Sequence, residues 1–299
     1  MHLKNLVDFS LPIPASELIL NPDGSIYHLQ LMASQLADII ILVGDPGRVN
    51  LISNFFSTIE SKTENREFVS HTGNFNGKRI TAISTGIGCD NIDIVLNEID
   101  ALVNINLETR RIKSEKKVLK IVRIGTSGAL QDDVPVDSLV ASNFGLGMDG
   151  LLHFYDAEPN EQEKKLASMF MFDTNWPTHF NRPYFAEGNQ ALIDLVGRDM
   201  QKGITATANG FYGPQGRILR MGLHKNDLNE TLRSFIYQEN RVLNFEMETS
   251  ALYGLSGLLG HHACTVCAIV ANRFRKEYSR DYHSIVKKLV INTLERLTG

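Results

Sequence analysis

The chain has 299 residues, with 30 lysines and arginines against 34 aspartates and glutamates, a net charge of −4. That balance supplies no general field for a polyanion and speaks against nucleic-acid binding. No apolar stretch approaches membrane-spanning length, and Met1–Pro14 lacks the basic-then-apolar layout of a signal peptide. The three cysteines suit a reducing compartment. The expectation is a cytoplasmic protein without membrane contact. With no linker, repeat or low-complexity tract, a single domain over residues 1–299 is expected.

In chain order, the first informative element is Asp38–Val49, an apolar run that breaks into Gly44-Asp45-Pro46-Gly47-Arg48. It reads as a buried strand followed by a turn, and the spacing of Leu51, Ile52, Phe55 and Phe56 predicts a helix over Asn50–Phe56. Arg48 then sits at a strand-to-helix junction, where backbone N–H groups favour anions. Neither a Walker pattern nor Gly-x-Gly-x-x-Gly is present. Arg79–Ser84 is a second strand running into glycines at Gly86 and Gly88, and a helical run follows from Ile92 to Val103. The basic stretch Arg110–Lys120 contains Glu115 and reads as a solvated connection.

Val118–Arg123 is a third apolar strand, expected to end in a turn over Ile124–Ala129. Arg123 lies inside the apolar run. A guanidinium is costly to bury alone, so it implies either an anionic ligand or a structural carboxylate. Gly125, Thr126, Ser127 and Gly128 could form an anion nest beside it. Three strands that end in glycine-containing loops, two of them with an arginine, suggest convergence on one anion at the carboxyl ends of an α/β sheet.

Further on, a strand over Gly203–Ala208 leads into Phe211-Tyr212-Gly213-Pro214-Gln215-Gly216-Arg217. Glu246-Met247-Glu248 opens a helix over Thr249–Leu259, where acids also complement the helix dipole. Ala263–Ala271 reads as a buried strand. Cys264 and Cys267 fall on opposite faces of it, and His261 and His262 are adjacent, so neither pair is expected to hold a metal.

Gly44-Asp45-Pro46-Gly47-Arg48, Ser84-Thr85-Gly86-Ile87-Gly88, Arg123-Ile124-Gly125-Thr126-Ser127-Gly128 and Asn244-Phe245-Glu246-Met247-Glu248 come in a telling order. It is the order of these motifs in nucleoside phosphorylases of the uridine/purine type. The chain resembles that family from about His28 to Arg273, and its uridine-specific members most. The resemblance implies an α/β fold, a mixed twisted central sheet flanked by helices in three α/β/α layers. It implies a pentosyltransferase that uses inorganic phosphate as co-substrate, with no cofactor and no metal. The family's interfacial monovalent-cation site would meet Cys89-Asp90-Asn91, where small residues are usual.

For phosphate the resemblance implies Gly44, Arg48, Arg123 and Thr126, with Arg66 supplied by a neighbouring subunit. For ribose it implies Thr126, Met247 and Glu248, with His28 reaching the 5′-hydroxyl of the adjacent site. For the base it implies Phe211, Gln215 and Arg217, whose donors and acceptors suit uracil. Catalysis would rest on Arg217, Glu248 and Arg123, through an oxocarbenium-like ribosyl group. The partners are then a nucleoside, phosphate and further copies of the chain, in a dimer or a hexamer with shared sites. Val270-Ala271-Asn272-Arg273 lacks the carboxylate of purine-type members, which favours pyrimidines. Arg273 reads equally as a base neighbour or as an ion-pairing residue.

The alternatives are a purine nucleoside phosphorylase or a hydrolytic nucleosidase and, from another class, a non-catalytic nucleoside-binding or storage protein. The segment from about Asp156 to Ala186 looks expanded relative to the family. It is expected to form a flap over the site or an altered oligomer surface.

Overall fold

The computed structural model describes residues 1–3 and 11–299. Residues 4–10, half of the Met1–Pro14 stretch read above for a signal peptide, lie outside them.

The apolar run from residue 39 forms β1 (Ile39–Val43), and the chain turns at once into α1 (Pro46–Ser53). This helix starts four residues earlier than the apolar spacing predicts. Asp45 caps it by accepting from the Gly47 N–H at 2.9 Å, and Pro46 occupies the first turn, where its missing N–H costs nothing. A meander of β2 (Thr58–Asn65), β3 (Phe68–Phe75) and β4 (Lys78–Ser84) follows, then α2 (Cys89–Asn104). Next come β5 (Lys120–Ala129), β6 (Leu139–Gly147), α3 (Glu161–Asp173), β7 (Tyr184–Glu187), α4 (Gln190–Val196) and β8 (Gln201–Thr207). The chain ends with α5 (Leu228–Ser234), β9 (Asn240–Glu246), α6 (Thr249–Leu259), β10 (His262–Asn272) and α7 (Tyr282–Thr298).

The strands form a mixed twelve-stranded sheet flanked by helices, as expected. Side-chain alternation along its central strands divides the core in two. Ile40, Leu42, Ile83 and Ile121 face α2 and α6, while Ile41, Val43, Ile80, Val122 and Ile124 face α1, α4 and α7. At one end the sheet closes on itself. β5 pairs β10, β10 pairs β6, β6 pairs β8, β8 pairs β9, and β9 returns to β5.

Two expectations are corrected here. The Gly-Thr-Ser stretch after Arg123 is not a turn, because β5 continues through it to Ala129, paired with β10 along its length. The glycine at 125 answers to space instead. A Cβ there would lie 2.1 Å from the Arg123 guanidinium and 2.9 Å from Cys267 Sγ. The expanded segment, in turn, is no flap over the central crevice. It folds as α3, with a capping box between Asn160 and Glu163, and β7, which pairs with β6. Leu166, Phe170 and Phe185 from it fill a third apolar cluster with Leu228 and Leu232 of α5.

Tyr253 of α6 shows how tightly the layers are joined. Its hydroxyl donates to the Ser142 carbonyl of β6 at 2.7 Å and accepts from the Thr265 N–H of β10 at 2.8 Å, fully buried. Tyr253→Phe strands both groups and is expected to cost about 1–3 kcal/mol, read from the urea midpoint. An unchanged midpoint would mean that the hydroxyl is dispensable.

Candidate active site at the carboxyl ends of the sheet

The loops after β1, β4, β8, β9 and β10, with the second half of β5, surround one cavity of about 620 Å3. It brings together Gly44, Arg48, Arg123, Thr126, Phe211, Gln215, Arg217, Met247 and Glu248, nine of the residues singled out from the sequence. His28 and Arg66 do not line it.

At one end stand the arginines. Arg48, in the first turn of α1, reaches the wall with no hydrogen bond or ion pair to its guanidinium among the described residues. Burial pulls its pKa down and the Asp45 carboxylate opposes that. Gly44 lies close to the loop after β4, where a Cβ would stand 3.2 Å from the Gly86 carbonyl. Arg123 is buried on the α6 side of β5. It donates to Glu248 and lies 3.2 Å from Glu246. Burial works against its charge, yet the two carboxylates outweigh burial and hold the guanidinium firmly protonated.

The two glutamates share Arg123 and both line the cavity. Glu248 also accepts from the Gly88 N–H at 2.8 Å, and Gly88 has φ +103°, a conformation that glycine tolerates. Glu246 stands beside it. Its carboxylate accepts from the N–H of Glu248 at 2.9 Å, from the N–H of Thr249 at 2.9 and 3.0 Å, and from the Thr207 hydroxyl at 2.8 Å. It closes the open N–H groups at the start of α6. Burial pushes its carboxyl up to about 7, with Glu248 adding to the rise and Arg123 opposing it. The dipole-complementing role read for Glu246 is therefore present, and the side chain is also tied to Arg123.

At the other end of the cavity lies the loop after β8. Arg217 donates to Gln215 Oε1 at 2.7 Å and places its guanidinium 3.8 Å from the centre of the Phe211 ring. Burial, with Arg273 nearby, lowers the Arg217 pKa to about 10, which leaves it charged at neutral pH. Arg273 donates to the carbonyls of Gln215 and Gly216 at 3.3 and 3.2 Å. No carboxylate pairs with it among the described residues, which sets aside its ion-pairing reading.

His28 and Arg66 meet elsewhere on the surface. The His28 Nδ1 and backbone N–H both bond Glu98, at 2.6 and 2.9 Å. Asn65 donates to the His28 carbonyl at 2.8 Å and is followed directly by Arg66, exposed in a turn at φ +54°. Tyr278 and Tyr282 also line the cavity, and the sequence reading missed both. Asp281, the cap of α7, was the available signal for Tyr282, since it fixes where that helix begins.

Among the described residues no group of three or more His, Cys, Asp or Glu is placed to hold a metal ion, and no helix is long and apolar enough to cross a membrane. The phosphorylase superfamily model matches residues 38–297. Uridine phosphorylase of Thermococcus kodakarensis is 28% identical over 264 residues, covering 86% of this chain and 81% of that protein. A DeoD-type purine nucleoside phosphorylase of Alkaliphilus metalliredigens is 26% identical over 243 residues, with 81% and 85% coverage. Among solved structures, a Trypanosoma brucei nucleoside phosphorylase described as showing uridine phosphorylase activity superposes with a TM-score of 0.87. It is 30% identical, with 94% of this chain and 99% of that chain covered. A family match over most of its length, joined to this fold, places the chain in the phosphorylase superfamily, as a pentosyltransferase enzyme.

Proposed function

We propose that the protein catalyses the reversible phosphorolysis of uridine to uracil and ribose 1-phosphate. The observation that carries the choice of base is the pairing of Gln215 with Arg217 beside Phe211 at one end of the cavity. An amide offers a donor and an acceptor and a guanidinium offers donors, which suits a base with two carbonyls and one N–H. The position that would supply a carboxylate to a purine holds Asn272, whose amide is spent on the carbonyls of Gln131 and Val134 at 2.8 and 2.9 Å.

In this reading phosphate lies against Arg48, Arg123, Thr126 and the Gly44 backbone, and attacks C1′ of the ribosyl group. Dianionic phosphate is both nucleophile and partner to the positive charge that develops on the sugar. Glu248 accepts from the ribose hydroxyls while Met247 lies along the sugar. Arg217 meets the negative charge that the departing uracil acquires, an interaction that strengthens toward the transition state. His28 and Arg66, linked through Asn65 and not lining this chain's own cavity, serve the site of a neighbouring copy. The enzyme is then a homo-oligomer, dimer or hexamer, with shared sites and no cofactor.

Ultraviolet absorbance of uridine, inosine and adenosine, each with and without phosphate, tests the reaction. Loss of uridine only with phosphate is expected. Cleavage without phosphate would make the protein a hydrolase, and turnover of inosine alone would move it to purines. Arg217→Ala should lower kcat for uridine on the order of a hundredfold, and unchanged kinetics would remove Arg217 from the chemistry. Arg66→Ala and Arg123→Ala variants, each impaired, should regain part of the activity when mixed as subunits. Failure of mixed oligomers to recover would count against the shared site.

A further inference from the structure

Glu246 is buried and titratable, and none of the steps above uses it. With all three groups ionised, Arg123 brings one positive charge against two carboxylates, Glu246 and Glu248, so the cluster carries an excess negative charge. Arg48, the next cation toward the cavity, does no more than bring these four groups to neutrality, and the Asp45 carboxylate acts on it in turn. A phosphate dianion drawn to these arginines therefore meets a buried site that is not positive on balance. Charge in such an interior is poorly screened, and relief by protonation is the usual outcome.

The surroundings single out which group takes the proton. Around Glu246 stand Arg123 on β5, Glu248 at the start of α6, the Thr207 hydroxyl on β8, the Cys267 thiol on β10 and the Cys89 thiol at the start of α2. Burial pushes both thiols up, so they are neutral and cannot share the negative charge. Glu248 is bound to Arg123 and to the Gly88 N–H at the cavity surface. Glu246 stands beside it with a partner that works in either protonation state, because the Thr207 hydroxyl, which donates to the carboxylate, can accept a hydrogen bond from the protonated acid. Its carboxyl already sits near neutrality.

We propose that Glu246 takes up a proton from solvent when inorganic phosphate binds, releasing Arg123 from one of its two carboxylates so that the guanidinium can turn its charge to the phosphate. Glu246 is a positioning residue in this scheme, acting on substrate through Arg123. The proposal rests on the reading that phosphate sits against Arg48 and Arg123.

Calorimetric titration of the purified enzyme with inorganic phosphate, in two buffers of different ionisation enthalpy, counts the protons exchanged. At about pH 8 phosphate is mostly dianionic, and uptake approaching one proton per phosphate is expected. At about pH 6 Glu246 already holds its proton while phosphate must shed one, so net release is expected. Uptake at the higher pH without release at the lower would mean that phosphate binds as the monoanion, and would overturn the proposal. No uptake at the higher pH would overturn it as well. Glu246→Gln, a neutral side chain of the same shape, should abolish the uptake and bind phosphate roughly tenfold more tightly than the parent at about pH 8. Weaker binding with the parent's proton count would sink the idea. Arg123→Ala separates the two readings: unchanged phosphate affinity in that variant would remove phosphate from Arg123 itself.

Discussion

A guanidinium buried in the middle of a sheet is the constraint around which the active end of this molecule is arranged. Arg123 is buried on β5 with only 4% of its surface exposed. Its charge is sustained only because β9 and α6 deliver Glu246 and Glu248 to it. The space for its head group comes from the missing side chain at Gly125. Glu248 is then steadied by Gly88, and Glu246 by Thr207 and by the first N–H groups of α6. Four segments far apart in sequence, at Gly88, Arg123, Thr207 and Glu246 to Thr249, thus depend on one cation. Removing Arg123 from such a group leaves two buried carboxylates without their cation, the costly way to break a buried ion pair.

The end of the cavity formed by the Phe211–Arg217 loop is organised on another footing. Arg217 and Arg273 are like charges close to each other, and burial opposes both. Neither has a carboxylate partner among the described residues. They are satisfied by the Phe211 ring face, the Gln215 amide and backbone carbonyls. A loop held this way presents net positive charge toward the cavity. Arg123 at the opposite end is matched by carboxylates, and Arg217 and Arg273 are not.

Much of this was legible in the sequence, for reasons that differ from segment to segment. Helix α6 was found to the residue, because an apolar run bounded by acids and by Gly260 leaves little choice. The turn after β1 was legible in its glycines and proline, although its aspartate cap shifts α1 upstream. The Gly-Thr-Ser stretch misled, because a glycine that serves a bulky neighbour looks the same in sequence as one that serves a turn. The segment before β7 misled for a different reason. Its apolar residues Leu166 and Phe170 belong to a core shared with α5, a partner too distant in sequence for local pattern to reveal. The separation of His28 and Arg66 from the cavity had no signal in their own flanking residues, and only the family resemblance set them apart.

The ring formed by β5, β10, β6, β8 and β9 has a mechanical consequence. A closed circuit of ladders has no free edge to peel, so its amides are expected to exchange with solvent only when the whole sheet opens. The glutamates at the end of β9 and the arginine of β5 inherit that stiffness from both sides. The Phe211–Arg217 loop hangs from the end of β8 with exposed aromatics and contacts made mostly to itself. It can open by local fluctuation without disturbing the ring. The two ends of one cavity therefore differ in backbone stiffness, one carried on a loop that can open alone and the other held between ladders while only its side chains change partners.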